Sequence, residues 1–335
     1  MNDTDQQLIE RLESRADRRS ERREFFRTAL GAGAVAALGA TAVGIASNAT
    51  AQATNNDAAI LNFALNLEYL EAQFYSFAAF GTGLPNALLT PGSASTTTQG
   101  AVTGGRQVAF TDPLVAQYAR EIAQDEVNHV TFLRQQLGTA TVAQPAIDIG
   151  STATSAFSVA AQAAKIVAAG AAFDPYASDE NFLQAAFLFE DVGVTAYRGA
   201  SSLLTSKVYL EAAAGILAAE AYHASIIRTV LYSKGLQTPS LRTNADAISN
   251  VRDAFDGSTD DDQGISATTI ANSQLPALNG LSASNIVPTG QDGLAYGRAT
   301  GSVLNIVYLS TLAVAKGGFF PNGVNGSINT STAAA

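Results

Sequence analysis

The chain has two histidines, and each stands three residues after a glutamate: Glu126-Val127-Asn128-His129 and Glu220-Ala221-Tyr222-His223. Positions i and i+3 share one helix face, so each pair can aim a carboxylate and an imidazole at the same point. With 12 glutamates in 335 residues, chance sets one three places before a given histidine about 4% of the time, and here it happens twice. Two further glutamates, Glu68 in Ala64–Tyr69 and Glu190 in Ala186–Asp191, lie in apolar sequence where an unpaired carboxylate is costly. Each is followed seven residues on by a tyrosine, Tyr75 and Tyr197, two turns along the same face. The order Glu…Glu-x-x-His…Glu…Glu-x-x-His is a duplicated helix pair. One Glu-x-x-His from each of two helices, with one Glu from each of two others, is a ligand set for two metal ions inside a bundle. Carboxylates with imidazoles suit iron or manganese. The competing reading is a metal-free bundle whose glutamates and histidines hydrogen-bond one another.

Four long helices must carry these residues. Asp57 to Phe80 has Ile60, Phe63, Ala64, Leu67, Leu70 and Phe74 at helical spacing and stops at Gly81-Thr82-Gly83-Leu84-Pro85. Thr111-Asp112-Pro113 opens a second helix that runs to Leu137, by a capping side chain and a first-turn proline. Ser178 or Asp179 opens a third, to about residue 202, and a fourth covers about 206–233 before Gly235. A short Ala-rich helix is expected over about 154–170, another near 245–255 and a last near 297–316. Residues 81–111 and 236–294 are rich in Gly, Ser, Thr, Asn or Asp and read as irregular, with Asp260-Asp261-Asp262 a solvated loop. Phe319 and Phe320 read as buried aromatics in a C-terminal turn. The expected fold is therefore all-α: an up-down four-helix bundle over 54–235, with an irregular C-terminal extension, 236–335, that contains a further helix.

Residues 1–53 read differently. They hold seven acids and seven bases, which leaves 12 basic and 22 acidic residues, and all of the net charge of −10, to the rest. A chain this acidic is a poor nucleic-acid binder. Arg22-Arg23-Glu24-Phe25-Phe26-Arg27 precedes an Ala/Gly-rich apolar stretch, Thr28 to Ser47, and then small residues at alternate positions up to Ala53. That layout is a secretory signal and resembles the twin-arginine type, which implies passage through the twin-arginine export machinery and a periplasmic or extracellular destination. No later stretch approaches the roughly 18 apolar residues of a membrane span. There is no cysteine, hence no disulfide, thiolate ligand or redox thiol.

The metal-ligand motif resembles the ferritin-like superfamily. Leu61–Glu71, Phe173-Asp174-Pro175-Tyr176 and Gly318–Gly326 are similar to a subgroup that includes plant desiccation-related proteins and exported bacterial proteins. The resemblance implies that Glu126 and Glu220 bridge two iron or manganese ions, Glu68 and Glu190 cap one each, and His129 and His223 bind one each. It implies that Asp125 orients His223, whereas the matching position before Glu220 is Ala219. Tyr75, Tyr197 and Glu71 are expected around the ligands rather than among them, and Glu121 in solvent. The implied activity is oxidation of ferrous iron, or reduction of peroxide or dioxygen, in stress protection, in a chain that could assemble with copies of itself. The alternative is a non-catalytic protective bundle in which the site is a structural staple or empty.

Overall fold

A computed structural model describes residues 47–271 and 274–334. The bundle lies in the compact unit Ala53–Ala335. The expected signal lies outside the described residues except for Ser47 to Ala53, which are helical.

The bundle helices are α1 (Ser47–Phe80), α2 (Pro113–Leu137), α4 (Asp179–Ser201) and α5 (Lys207–Lys234). Between α2 and α4 lies the short α3, Ala156–Ala163; after α5 come α6, Ser240–Asp256, and α7, Thr300–Tyr308. Two small strand pairs complete the described residues: β1 (Val102–Gly104) parallel to β2 (Ile147–Ile149), and β3 (Thr268–Thr269) antiparallel to β4 (Ser282–Ala283).

The long helices start where capping chemistry starts them. Asp112 accepts from Leu114 N, Ser178 from Asn181 N and Ser206 from Tyr209 N, each satisfying a donor that the first helical turn leaves free. From Ile60 to Ala79, α1 is buried nearly all round, so its polar residues need internal partners. Three amides meet that need by fastening loops to the helix. Asn62 bonds Ala140 O and Val142 N, Asn66 bonds Asn325 through both backbone groups, and Gln73 bonds Gln144 and Leu84 N.

The C-terminal extension is part of this core. Phe319 packs edge-on against Phe157 and Phe189, with ring centroids 5.0 and 4.9 Å apart, and Phe320 is fully buried. Asp262 is buried rather than solvated, because three arginines with no side-chain exposure surround it and its neighbours. Arg252 bonds Asp191 of α4 at 2.8 Å and Asp262 at 2.7 Å. Arg228 of α5 bonds Asp191 at 2.7 Å, and Arg298 bonds Asp256 at 2.5 Å and Asp262 at 3.2 Å. Asp260 and Asp261 stay at the surface.

The lesser helices differ in length from expectation. Lys165 adopts a left-handed backbone (φ 58°) and Gln162 bonds Ala171 O, so α3 stops at Ala163 instead of near 170. Leu309 is left-handed (φ 53°), Asn305 Nδ2 donates to Ser310 O, and Phe319 N donates to Val307 O; α7 ends at Tyr308 instead of near 316. In contrast, α6 is longer than the sequence suggests, because its Leu241, Ala245, Ile248 and Arg252 face is buried.

Removing Arg252 would leave Asp191 and Asp262 each short of a buried partner. Arg252→Ala is expected to lower unfolding free energy by about 3–5 kcal/mol in urea titration, and an unchanged midpoint would show that the charge cluster is not stabilising.

Candidate metal centre

Each long helix delivers part of one buried cluster: Glu68 from α1, Glu126 and His129 from α2, Glu190 from α4, and Glu220 and His223 from α5. Their ligand atoms form two overlapping groups, Glu68–Glu126–His129–Glu220 and Glu190–Glu220–His223, each within 4.8 Å. His129 Nδ1 stands 3.1 Å from Glu68 Oε2, 3.4 Å from Glu220 Oε1 and 3.6 Å from Glu126 Oε2. His223 Nδ1 stands 3.1 Å from Glu126 Oε1 and 3.7 Å from Glu190 Oε2. Glu126 therefore lies between the two imidazoles, whose centroids are 6.1 Å apart.

The flanking residues follow a crossed pattern. Tyr75 on α1 donates to Glu190 on α4, and Tyr197 on α4 donates to Glu68 on α1. Asp125 Oδ2 is 3.4 Å from His223 Nε2, the ring nitrogen turned away from the cluster. Glu71 is buried, and Glu121 is exposed on α2.

Two further pairs escaped the sequence reading. Asp57 of α1 accepts from Thr205 N and Ser206 N at the head of α5, at 2.8 and 2.9 Å. Asp179 of α4 accepts from Thr111 N and Asp112 N at the head of α2, at 3.0 and 3.2 Å. Arg134 of α2 meets Tyr69, the residue after Glu68, and Arg228 of α5 meets Asp191, the residue after Glu190. All fit one duplication: α1 residues recur on α4 122 positions on (Asp57, Glu68, Tyr75 to Asp179, Glu190, Tyr197), and α2 residues recur on α5 94 positions on (Glu126, His129, Arg134 to Glu220, His223, Arg228). That constant offset was the available signal.

The cluster is short of positive charge. The ion pairs of Glu68, Glu126, Glu190 and Glu220 are all with the two histidines, which are neutral unless protonated. Burial, partly offset by His129, lifts the Glu68 carboxyl to about 8. Burial and the charge of Glu126 raise Glu220, and burial holds Glu190 well above the usual carboxylate range. For Glu126 the attraction of His129 and His223 outweighs burial and holds it below that range. Burial opposes charge on His223, yet Glu190, Asp125 and Glu126 together raise it to about 11. Even so, both oxygens of Glu126 and of Glu220, Glu190 Oε2 and His223 Nδ1 are buried without a hydrogen-bond partner. Buried polar atoms are rarely left so. Four carboxylates and two imidazoles with inward-facing free lone pairs fit metal ions.

Comparison with known proteins identifies the family of the helical bundle. The family described as Ferritin-like domain matches residues 56–233, more than half of the chain. Ferritin-like catalase Nec2 of Nesocodon mauritianus is 29% identical over 277 residues, 81% of this chain and 84% of that protein. Desiccation-related protein PCC13-62 of Craterostigma plantagineum is 34% identical over 179 residues, 53% of this chain and 54% of that protein. No solved structure gives a significant match.

The raised groups set a pH dependence for the metal-free protein. Glu68, raised from 4.5 to about 8, and His223, raised from 6.5 to about 11, both bind more protons folded than unfolded over pH 5–8. Their stabilisation is complete below the unfolded values and is lost as pH rises through the folded ones. Urea midpoints of metal-free protein should therefore fall from pH 5 to pH 8; a steady rise over that window would contradict the assignment.

Proposed function

The chain belongs to the ferritin-like domain family, and on that premise we propose that its buried cluster holds two iron or manganese ions and decomposes hydrogen peroxide. The carrying observation is the set of buried ligand atoms that face one another with no partner of their own. Glu126, beside both imidazoles, and Glu220 would serve both ions, Glu68 with His129 would hold one, and Glu190 with His223 would hold the other. The ions when bound supply the two-electron exchange by which two hydrogen peroxide molecules become two waters and one dioxygen. Similarity to a catalase over 81% of the chain favours peroxide over ferrous iron as the substrate.

The chain's own groups prepare the site. The Tyr75 and Tyr197 hydroxyls hold the outer oxygens of Glu190 and Glu68, leaving Oε2 of each to face inward. Asp125 accepts a hydrogen bond from His223 Nε2–H, which directs the Nδ1 lone pair into the cluster. Of the six ligands, the His129 side chain keeps the most exposure, 11%, and Asp125, 45% exposed, marks the same α2–α5 rim. The remaining ligand side chains, at most 4% exposed, are closed off from bulk water.

The metal-loaded protein is expected to decompose peroxide. Glu126→Ala should abolish turnover along with metal retention, and Asp125→Asn should lower metal affinity or activity about 10–100-fold. Turnover unchanged in Glu126→Ala would remove the reading.

We further propose export through the twin-arginine route to the periplasm or beyond, on the strength of Arg22-Arg23-Glu24-Phe25-Phe26-Arg27 and the apolar stretch after it. Similarity to a desiccation-related protein supports a role in stress protection. Arg22→Lys with Arg23→Lys should retain the protein in the cytoplasm; undiminished export would exclude that route.

A further inference from the structure

Close-packed interiors leave few voids the size of a water molecule, and here two of them share a wall. The inner void, about 10 Å³, lies between α1 and α4 against Leu67, Leu70, Glu71, Leu188, Val192 and Phe319. The outer void, about 20 Å³, lies between α3, α4 and α6 against Phe157, Gln184, Leu188, Ile248 and Val251. Leu188 lines both. The rest of the partition is aromatic: Phe157 on the outer side and Phe189 on the inner, with ring centroids 5.3 Å apart. The inner end reaches the centre. Leu67 and Phe189 stand directly before the ligands Glu68 and Glu190 in the chain, and Glu71 feels the charges of Glu220, Glu126, Glu190 and Glu68. The outer end meets the surface at Ile166 and Val251, both only half-buried.

The lining decides what such a route can carry. A water held inside a protein needs about two to four polar partners. Of the side chains around the inner void Glu71 is the polar one, and around the outer void Gln184 is. The Gln184 amide is already engaged, donating to Glu180 O and accepting from Asn244 Nδ2. Water and hydrogen peroxide would lose hydrogen bonds here that nothing replaces. Dioxygen has none to lose. Given the peroxide reading above, on which this rests and whose product is dioxygen, we propose that the two voids form an apolar passage for dioxygen between the centre and the α3–α6 surface, with Leu188 as its gate. Rotation of the Leu188 side chain to another staggered position joins the voids without moving a helix. The passage opens between other helices than the α2–α5 rim, where polar Asp125 and His129 stand.

The test uses dioxygen itself, whose paramagnetism speeds the nuclear relaxation of any methyl group it visits. Metal-free full chain with 13C-labelled methyl groups is compared under nitrogen and under dioxygen pressure. The enhancement at Leu67, Leu188 and Val192, 4–5% exposed, should exceed that at Leu61, Val108 and Val142, 4% exposed and lining neither void. A difference of about threefold or more is expected, because close-packed methyls leave a gas no room. Equal enhancement in the two sets overturns the proposal. Leu188→Phe, a bulkier plug, should at least halve the enhancement at Leu67, Leu70 and Val192 while Ile248 and Val251 keep theirs. An unchanged inner set would show that the gas does not pass Leu188, and overturns the route. Should that variant not fold, wild-type crystals under xenon decide: xenon on both sides of Leu188 is expected, and none in the inner void overturns the passage. None of these readouts needs metal, so their failure leaves peroxide decomposition standing. A metal-loaded protein that evolves no dioxygen from peroxide removes both.

Discussion

Burying several carboxylates side by side is the constraint on which the rest of this structure depends. An ionised carboxylate pays heavily to leave water, and like charges in a low-dielectric interior repel strongly. Glu68, Glu71, Glu126, Glu190 and Glu220 are all buried, and among the described residues the cluster holds two imidazoles to set against them. Without ions the cluster must hold protons, and the raised carboxyls and histidines express that need. Two multivalent cations meet the same need with directed bonds. The surrounding bundle therefore serves to keep this electrostatic problem dry and fixed in shape.

The fixing is mutual. Each half of the duplicated bundle secures the other: tyrosines reach across to the opposite glutamate, and Asp57 and Asp179 secure the heads of the opposite half's helices. A shift of one half is thus felt at the ligands of the other. The C-terminal extension adds a one-sided clamp. Through Arg252 it grips Asp191, beside Glu190, and through Arg298 it bonds Thr195 on the same helix. The α1 half has Tyr69 with Arg134 in the equivalent place, a neutral group instead of a charged one. Differences of this kind, with Asp125 facing Ala219 and Glu71 facing Gly193 across the repeat, distinguish two positions that the ligand motif alone makes look alike.

Much of this was legible in the sequence, because the information is local. Asp112-Pro113, Ser178 and Ser206 start helices through hydrogen bonds to the next turn, and Glu-x-x-His spacing places ligands on one face. What was hidden is non-local. Asp262 sits in an acidic run that reads as surface, and only arginines from two separate segments, Arg252 and Arg298, make it interior. The early end of α7 depends on Phe319 returning to Val307 O. Glu71 shares a face with Glu68 at three residues' spacing, yet its burial follows from packing that no single helix reveals. Asp57 and Asp179 share the repeat offset of Glu68 and Glu190, a signal that is present in the sequence.

The most direct measurement is elemental analysis of the purified protein, beside a His129→Ala/His223→Ala variant. The account predicts about two iron or manganese atoms per chain in the wild type and loss of both in the variant. Less than a few tenths of an atom per chain, with reconstitution also failing, would contradict it, and the buried glutamates would then have to be explained by protons alone.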